Sequence, residues 1–276
     1  MNLPRRDFLK TTLAASASAT LASQLSAATP HANGGREYYD LRVYRLKADA
    51  PRALLDGYLE KAFLPALQER GIKNVGVFTE LEVKKDAATS APLANSPVWV
   101  LIPHGSLESF SAVSAEINSD ASVRKAAADY LQTPKTAAAF ERMDSWLLLA
   151  FKSMPRMEVP EFSRRRAPNR VFELRTYESY SEEKALRKMA MFDDGETEVM
   201  RKVGMSPLFF GQGLAGSNLP HLTYITCGPD LATHLDNWKK FGVHPDWIKM
   251  RGDPQYADTV SKNTPHFLAP TAYSQI

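Results

Sequence analysis

The sequence predicts an α+β chain in which one six-element pattern, β-α-β-β-α-β, is written twice. Three observations carry that reading. Asp40-Leu41-Arg42-Val43-Tyr44 returns as Glu173-Leu174-Arg175-Thr176-Tyr177, 133 positions later. The same offset takes Gly71 to Gly204, each placed to end a helical stretch. Apolar residues also switch between strand and helix spacing in the same order in both halves. A period above 100 residues is that of a duplicated domain rather than a solenoid.

The first half begins with a strand over Tyr38–Leu46. A helix follows, with Asp49 as N-cap and Pro51 in its first turn. Its apolar stripe is Leu54, Leu55, Tyr58, Leu59, Ala62, Phe63, Ala66 and Leu67. Pro65 is expected to kink it and Gly71 to stop it. Val75, Val77, Thr79, Leu81 and Val83 alternate as a strand does. Residues 84–97 read as a long connection, Val98–Ile102 as a strand, 106–141 as helical stretches, and Trp146–Phe151 as the closing strand.

The second half starts with a strand over Arg170–Glu178. Ser179 and Glu182 stand at capping-box spacing before a helix ending at Gly204, striped by Leu186, Met189, Phe192, Val199 and Val203. Strands near 206–211 and 221–227 follow, then a helix over 230–241, a turn near 245–251 and a strand near 264–272. Each half thus has the ferredoxin-like order. Residues 36–152 form the first unit and 170–276 the second. Residues 153–169, with Pro155, Pro160, Pro168 and Arg164-Arg165-Arg166, form the linker. The two sheets are expected to pack face to face.

Residues 1–28 read as an address. Arg5-Arg6 with Phe8-Leu9 and Lys10, a weakly apolar run from Thr11 to Leu25, and Ser26-Ala27-Ala28 have the order of a twin-arginine export signal. The expected location is periplasmic or extracellular. No later segment is apolar for long enough to span a membrane. The chain has 276 residues, 44% hydrophobic and 24% charged, which excludes collagen, a disordered charged tail and a disulfide scaffold. Three of the 34 basic and one of the 31 acidic residues lie in 1–28, so the remainder carries 31 basic against 30 acidic. A near-neutral body gives no electrostatic reason for a nucleic-acid partner. Cys227 is the only cysteine, so no intrachain disulfide can form, and its apolar neighbours make it a small core residue.

Gly211-Gln212-Gly213-Leu214-Ala215-Gly216 fits a dinucleotide-binding fingerprint, but Ser217-Asn218-Leu219-Pro220 and another strand follow it. No helix opens to meet a pyrophosphate, so the run reads as a glycine-rich hairpin. Leu219-Pro220-His221-Leu222-Thr223-Tyr224, Trp238-Lys239-Lys240-Phe241, His244-Pro245-Asp246-Trp247, Asp253-Pro254-Gln255-Tyr256 through Ser261, and the ending Pro270 through Ile276 are separate motifs in one order. With the Glu-Leu-Arg-x-Tyr strand, they make residues 170–276 resemble the NIPSNAP family. The first half keeps Leu-Arg-x-Tyr but lacks the Trp-x-x-Phe and Pro-Asp-Trp motifs. The resemblance implies the dimeric α/β-barrel fold. That fold also houses haem-degrading monooxygenases, chlorite dismutases and small-molecule monooxygenases, an analogy of fold and not of site.

Strand alternation places Asp40, Arg42 and Tyr44 on one face, opposite Leu41 and Val43. It places Glu173, Arg175 and Tyr177 opposite Phe172, Leu174 and Thr176. The apolar faces are expected to meet the helices, leaving the two polar sets facing each other between the lobes. There an arginine can bind an anionic group and Tyr177 can donate or relay a proton. The plainer alternative is a pair of same-face ion pairs that fix the packing. Trp238 and Trp247, with Phe241, cluster with His244 and can wall a pocket for a flat ligand. Their plainer alternative is helix-to-sheet core with His244 capping a turn.

The candidate ligand-binding residues are therefore Arg42, Tyr44, Glu173, Arg175, Tyr177, Trp238 and Trp247. The candidate catalytic residues are Arg175, Tyr177 and His244. No histidine or carboxylate spacing marks a metal site, and no cofactor can be named. Asp193-Asp194-Gly195-Glu196 reads as a solvated helix face. The leading expectation is a small-molecule-binding protein whose ligand sits between two lobes, with turnover left open. The alternatives are an oxygenase or isomerase, and a non-catalytic interaction module presenting Arg164-Arg165-Arg166. A homo-oligomer through exposed strand edges or helices is compatible with each.

Overall fold

A computed structural model describes residues 35–48 and 50–276. The export signal read at 1–28 and the cap read at Asp49 lie outside the described residues. The first half carries β1 (Tyr38–Leu46), β2 (Gly76–Lys84), β3 (Thr89–Pro92), β4 (Val98–His104) and β5 (Phe140–Ala150). The second carries β6 (Val171–Glu178), β7 (Ser206–Ala215), β8 (His221–Gly228) and β9 (Lys262–Pro270). Helical segments follow β1, β4, β6 and β8.

The helix after β1 covers 52–69. The stripe from Leu55 to Leu67 is buried as its spacing requires, with Leu54 only partly covered. Pro51 is its N-cap and makes no side-chain cap. The kink expected at Pro65 takes the form of a π-turn over Leu59–Phe63. A proline has no N–H to return to the preceding turn, and a widened turn absorbs that loss. Gly71 and Gly204 end their helices with φ of 77° and 87°, values a side chain disfavours.

Several boundaries differ from expectation. Residues 84–97 contain β3, which pairs with β2 and lengthens the hairpin. The helical stretch ends by Ala137, and β5 starts at Phe140, earlier than Trp146. Ser181, not Ser179, caps the helix over 182–202, accepting the Lys184 N–H. Ser179 instead donates its hydroxyl to the Thr259 carbonyl. Leu186 is 51% exposed because Ala185, Lys188, Met189 and Phe192 form the inward stripe beside it.

The strands make one closed sheet and not two packed ones. The first half runs β2-β4-β1-β5 and the second β7-β8-β6-β9. Pairing of β5 with β7 and of β9 with β2 joins them into an antiparallel barrel of eight strands, with β3 flanking β2. Closure gives the edge strands partners, which two separate sheets would leave exposed. Tyr39, Leu41, Val43, Phe78, Leu101, Phe172, Leu174, Phe209, Ile225 and Leu268 fill the lumen. Ile276, Val159, Met157 and Phe162 plug it at the end where β1, β2 and β6 begin. The linker therefore contributes to the core, and Arg166 donates to the Ala272 and Ser274 carbonyls to hold the C-terminal tail. Cys227 is buried in the lumen, where burial pushes its thiol up and Sγ donates to the Ser206 carbonyl.

The glycine-rich run lies on β7 and in the β7–β8 hairpin, with no helix after it. Its glycines answer to packing. A Cβ at Gly213 would lie 2.8 Å from the His221 ring, and Gly216, at φ 130°, would drive one into Trp146.

Candidate functional site

The lumen-facing residues include Leu41, Val43, Phe172 and Leu174, so the acid-arginine-tyrosine sets point outward, toward the helices. This reverses the expected facing. A narrow eight-stranded barrel fills its interior with side chains and favours apolar ones there. The outer face is covered by helices, so both faces are buried, and the charged set goes where an acid can pair with each arginine.

In the first half this produces a filled core. Arg42 approaches Asp40 at 2.6 Å, and the Ser145 hydroxyl donates to the other Asp40 oxygen at 2.7 Å. The guanidinium lies over the Phe63 ring, and Tyr44 packs edge-on to Phe140. Burial pushes His104 down to about 4, so it stays neutral beside the pair. Arg42 and Tyr44 line none of the principal cavities among the described residues.

The second half leaves an opening. Glu173 is 1% exposed. It accepts from Arg175 Nη1 at 2.9 Å, from His234 Nε2 at 2.8 Å and from Trp238 Nε1 at 2.5 Å. Burial opposes the charge of Glu173, but those hydrogen bonds and the Arg175 cation hold its carboxyl below the usual range. The His234 bond requires the proton on Nε2. His234 and Trp238 stand one turn apart on helix Leu231–Val243, which is why both reach the same carboxylate.

Arg175 lies 4.6 Å from the Trp238 ring centre and 5.5 Å from that of Tyr177. Its Nε is buried with no hydrogen-bond partner. Arg175, Trp238 and Leu235 line an open groove of about 500 Å³, roofed by Lys85 and Asp86 of the β2–β3 turn and flanked by Lys239. Three cations meet two acids there, and Glu173 is already engaged.

The other candidates go elsewhere. The Tyr177 hydroxyl is 2.8 Å from that of Tyr224, behind the groove. Trp247 packs on Phe241 at 4.6 Å. His244 caps helix Pro245–Arg251, its Nδ1 accepting the Asp246 N–H, and does not join Arg175. The acidic run also divides. Asp193 accepts the Ser153 N–H and Asp194 the Tyr256 hydroxyl, whereas Glu196 is 2% exposed and 2.7 Å from Lys188. A π-turn over Phe192–Glu196, with Gly195 at φ 151°, turns Glu196 inward.

Residues 172–275 match the NIPSNAP family model. The second half is a NIPSNAP domain. It contains the whole Glu173-Arg175-His234-Trp238 cluster, and the first half supplies only the groove's roof. Among solved structures, a proposed monooxygenase from Lactobacillus acidophilus NCFM aligns at TM-score 0.53 and 9% identity, over 85% of this chain and 94% of that one. Another, from Fusobacterium nucleatum, aligns at TM-score 0.51 and 10% identity, over 86% and 93%. A NIPSNAP-like domain protein from Burkholderia xenovorans covers 38% of this chain and 89% of its own, at 17% identity and TM-score 0.35. The first two likenesses establish the barrel fold around the NIPSNAP domain. A comparison with curated proteins returns no match.

The residues present do not fit a haem. Beside the Arg175 groove His234 Nε2 is tied to Glu173 and His244 is a helix cap, and the chamber that His266 lines holds about 160 Å³, below the roughly 300 Å³ at which drug-sized pockets begin. Among the described residues, no cluster of three metal-ligating side chains occurs, and no helix is long and apolar enough to cross a membrane.

Proposed function

We propose that this protein binds a small anion with an apolar portion in the groove of its NIPSNAP domain, against Arg175 and Trp238. The supporting observation is the arginine itself. Glu173 and Trp238 fix its plane, and its side chain borders the open groove. A carboxylate can take a charge-assisted hydrogen bond there while its apolar part lies along Trp238 and Leu235. Lys85 and Lys239 add attraction that salt screens.

Calorimetry with benzoate tests the reading. Arg175→Met is expected to weaken binding about ten- to hundredfold, the range for hydrogen bonds to charged groups. Glu173 keeps the His234 and Trp238 hydrogen bonds but loses its counter-charge, so the variant is expected to unfold at a lower temperature, and binding is compared below that midpoint. Unchanged benzoate affinity in a folded variant would sink the proposal.

We read the barrel as two ferredoxin-like units, 36–152 and 170–276, joined by 153–169. The reading is supported by the matching strand orders and by Leu41, Arg42, Tyr44 and Gly71 recurring 133 positions on, with Glu173 in the place of Asp40. We read residues 1–28 as a twin-arginine export signal acting before the ligand is met. With Arg5→Lys and Arg6→Lys together, the protein is expected to stay in the cytoplasmic fraction, and unaltered export would refute this route.

A further inference from the structure

We propose that the open end of the barrel lumen is a second binding site, for a neutral single-ring phenol held against Trp99 and Trp146 by His266. This site is separate from the Arg175 groove, which lies on the outside of the sheet. The plugged end of the lumen is filled by Ile276 and linker side chains. At the other end a chamber of about 160 Å³ remains, lined from β1, β4, β5, β6, β8, β9 and the β7–β8 hairpin. A cavity of about 150 Å³ lined by apolar side chains holds one benzene ring.

The chamber has an apolar floor under polar walls. Leu41, Trp99 and Trp146 form the floor, the two indoles stacked at 5.9 Å with planes 16° apart. Trp146 Nε1 donates to Ser217, and Trp99 Nε1 donates to Glu80 at 2.9 Å, so both indoles are fixed with their polar edges satisfied. Glu80 also meets His266 Nδ1 at 3.2 Å. Burial opposes the Glu80 charge, but the bonds from His266 and Trp99 outweigh it and hold the carboxyl below its usual value. An ionised Glu80 favours the tautomer with its proton on Nδ1, and in that tautomer Nε2 is an acceptor. No residue among those described takes a hydrogen bond from or gives one to that nitrogen. The His266 ring is 5.2 Å from Trp99, so an acceptor and an aromatic wall adjoin.

The charged groups around the chamber answer one another. Lys262 pairs with Glu178 and Arg45 with Asp144. His266 adds a hydrogen-bond acceptor beside the flat indole surface, and a neutral ring bearing an O–H complements the two together. Glu80 comes from β2 and His266 from β9, so the pair exists only because the two halves close into one barrel.

The test is NMR titration of the folded protein with phenol and with benzene, following the indole N–H signals assigned by Trp→Phe variants. Phenol is expected to shift the Trp99 and Trp146 signals saturably and to leave Trp238 unmoved. Benzene is expected to bind about tenfold more weakly, one hydrogen bond being worth roughly that factor. His266→Phe is expected to bring phenol down to the benzene level, and Arg175→Met to leave phenol binding intact. Equal affinity for phenol and benzene in the wild type would overturn the proposal without any variant. So would shifts centred on Trp238, or undiminished phenol binding in His266→Phe.

Discussion

Asp40→Asn is expected to destabilise the protein by about 3–5 kcal/mol, the cost of leaving a buried cation without its counter-charge. Asp40 is fully buried, and Arg42 beside it is 6% exposed. The amide keeps the shape and one acceptor but removes the charge that offsets the desolvation of Arg42. In a chain of this size each kcal/mol lowers the unfolding midpoint by roughly 2–4 °C. The cause is separable from volume. Asp40→Leu combined with Arg42→Met removes both charges and is expected to return close to wild-type stability. Urea unfolding of the three proteins reads the result. A loss under about 1 kcal/mol for Asp40→Asn would mean that water reaches Arg42 and that the pair is not a structural ion pair.

The second large effect belongs to Lys188→Met. Lys188 is 5% exposed, 2.7 Å from Glu196 and packed on the Phe192 and Trp247 rings. Methionine fills the stem but leaves the Glu196 carboxylate unpaired, at an expected cost near 3–5 kcal/mol at neutral pH. Burial already raises the Glu196 pKa above its ordinary value even with Lys188 opposing it. A carboxyl whose folded pKa lies above the unfolded one contributes stability at low pH and loses it as pH rises through the folded value. Without Lys188 that pKa rises further, so the penalty at neutral pH grows. At low pH Glu196 is protonated in both proteins, and the wild type then holds Lys188 without a counter-ion. The stability gap is therefore expected to narrow as pH falls from 8 toward 4.5, read by the urea midpoint at each pH. A gap independent of pH would assign the loss to packing.

The identity of the paired strands was legible because strand alternation and the 133-residue offset are local patterns. They placed Asp40 with Arg42 and Glu173 with Arg175 on shared faces, and the ion pairs follow. The direction of those faces was not legible. Alternation says which residues share a side, not which side becomes the lumen. His234 was readable in principle, since it lies one turn from Trp238 on the inward stripe of its helix. Glu196 was not, because its inward turn depends on a π-turn that no heptad or 3.6-residue pattern anticipates.

Local chemistry thus settled the eight barrel strands, though not β3 or the start of β5, together with the glycine helix stops and the hairpin glycines, because each depends on a few neighbours along the chain. The tertiary structure decided the closed barrel, the outward turn of both arginines, and the meetings of Glu173 with His234 and of Glu80 with His266. Those pairs lie 61 residues apart and on opposite halves respectively. Such contacts are selected by which edges can pair and which charges can be neutralised once the sheet closes. That choice is made by the whole folded chain and is carried by no single segment of it.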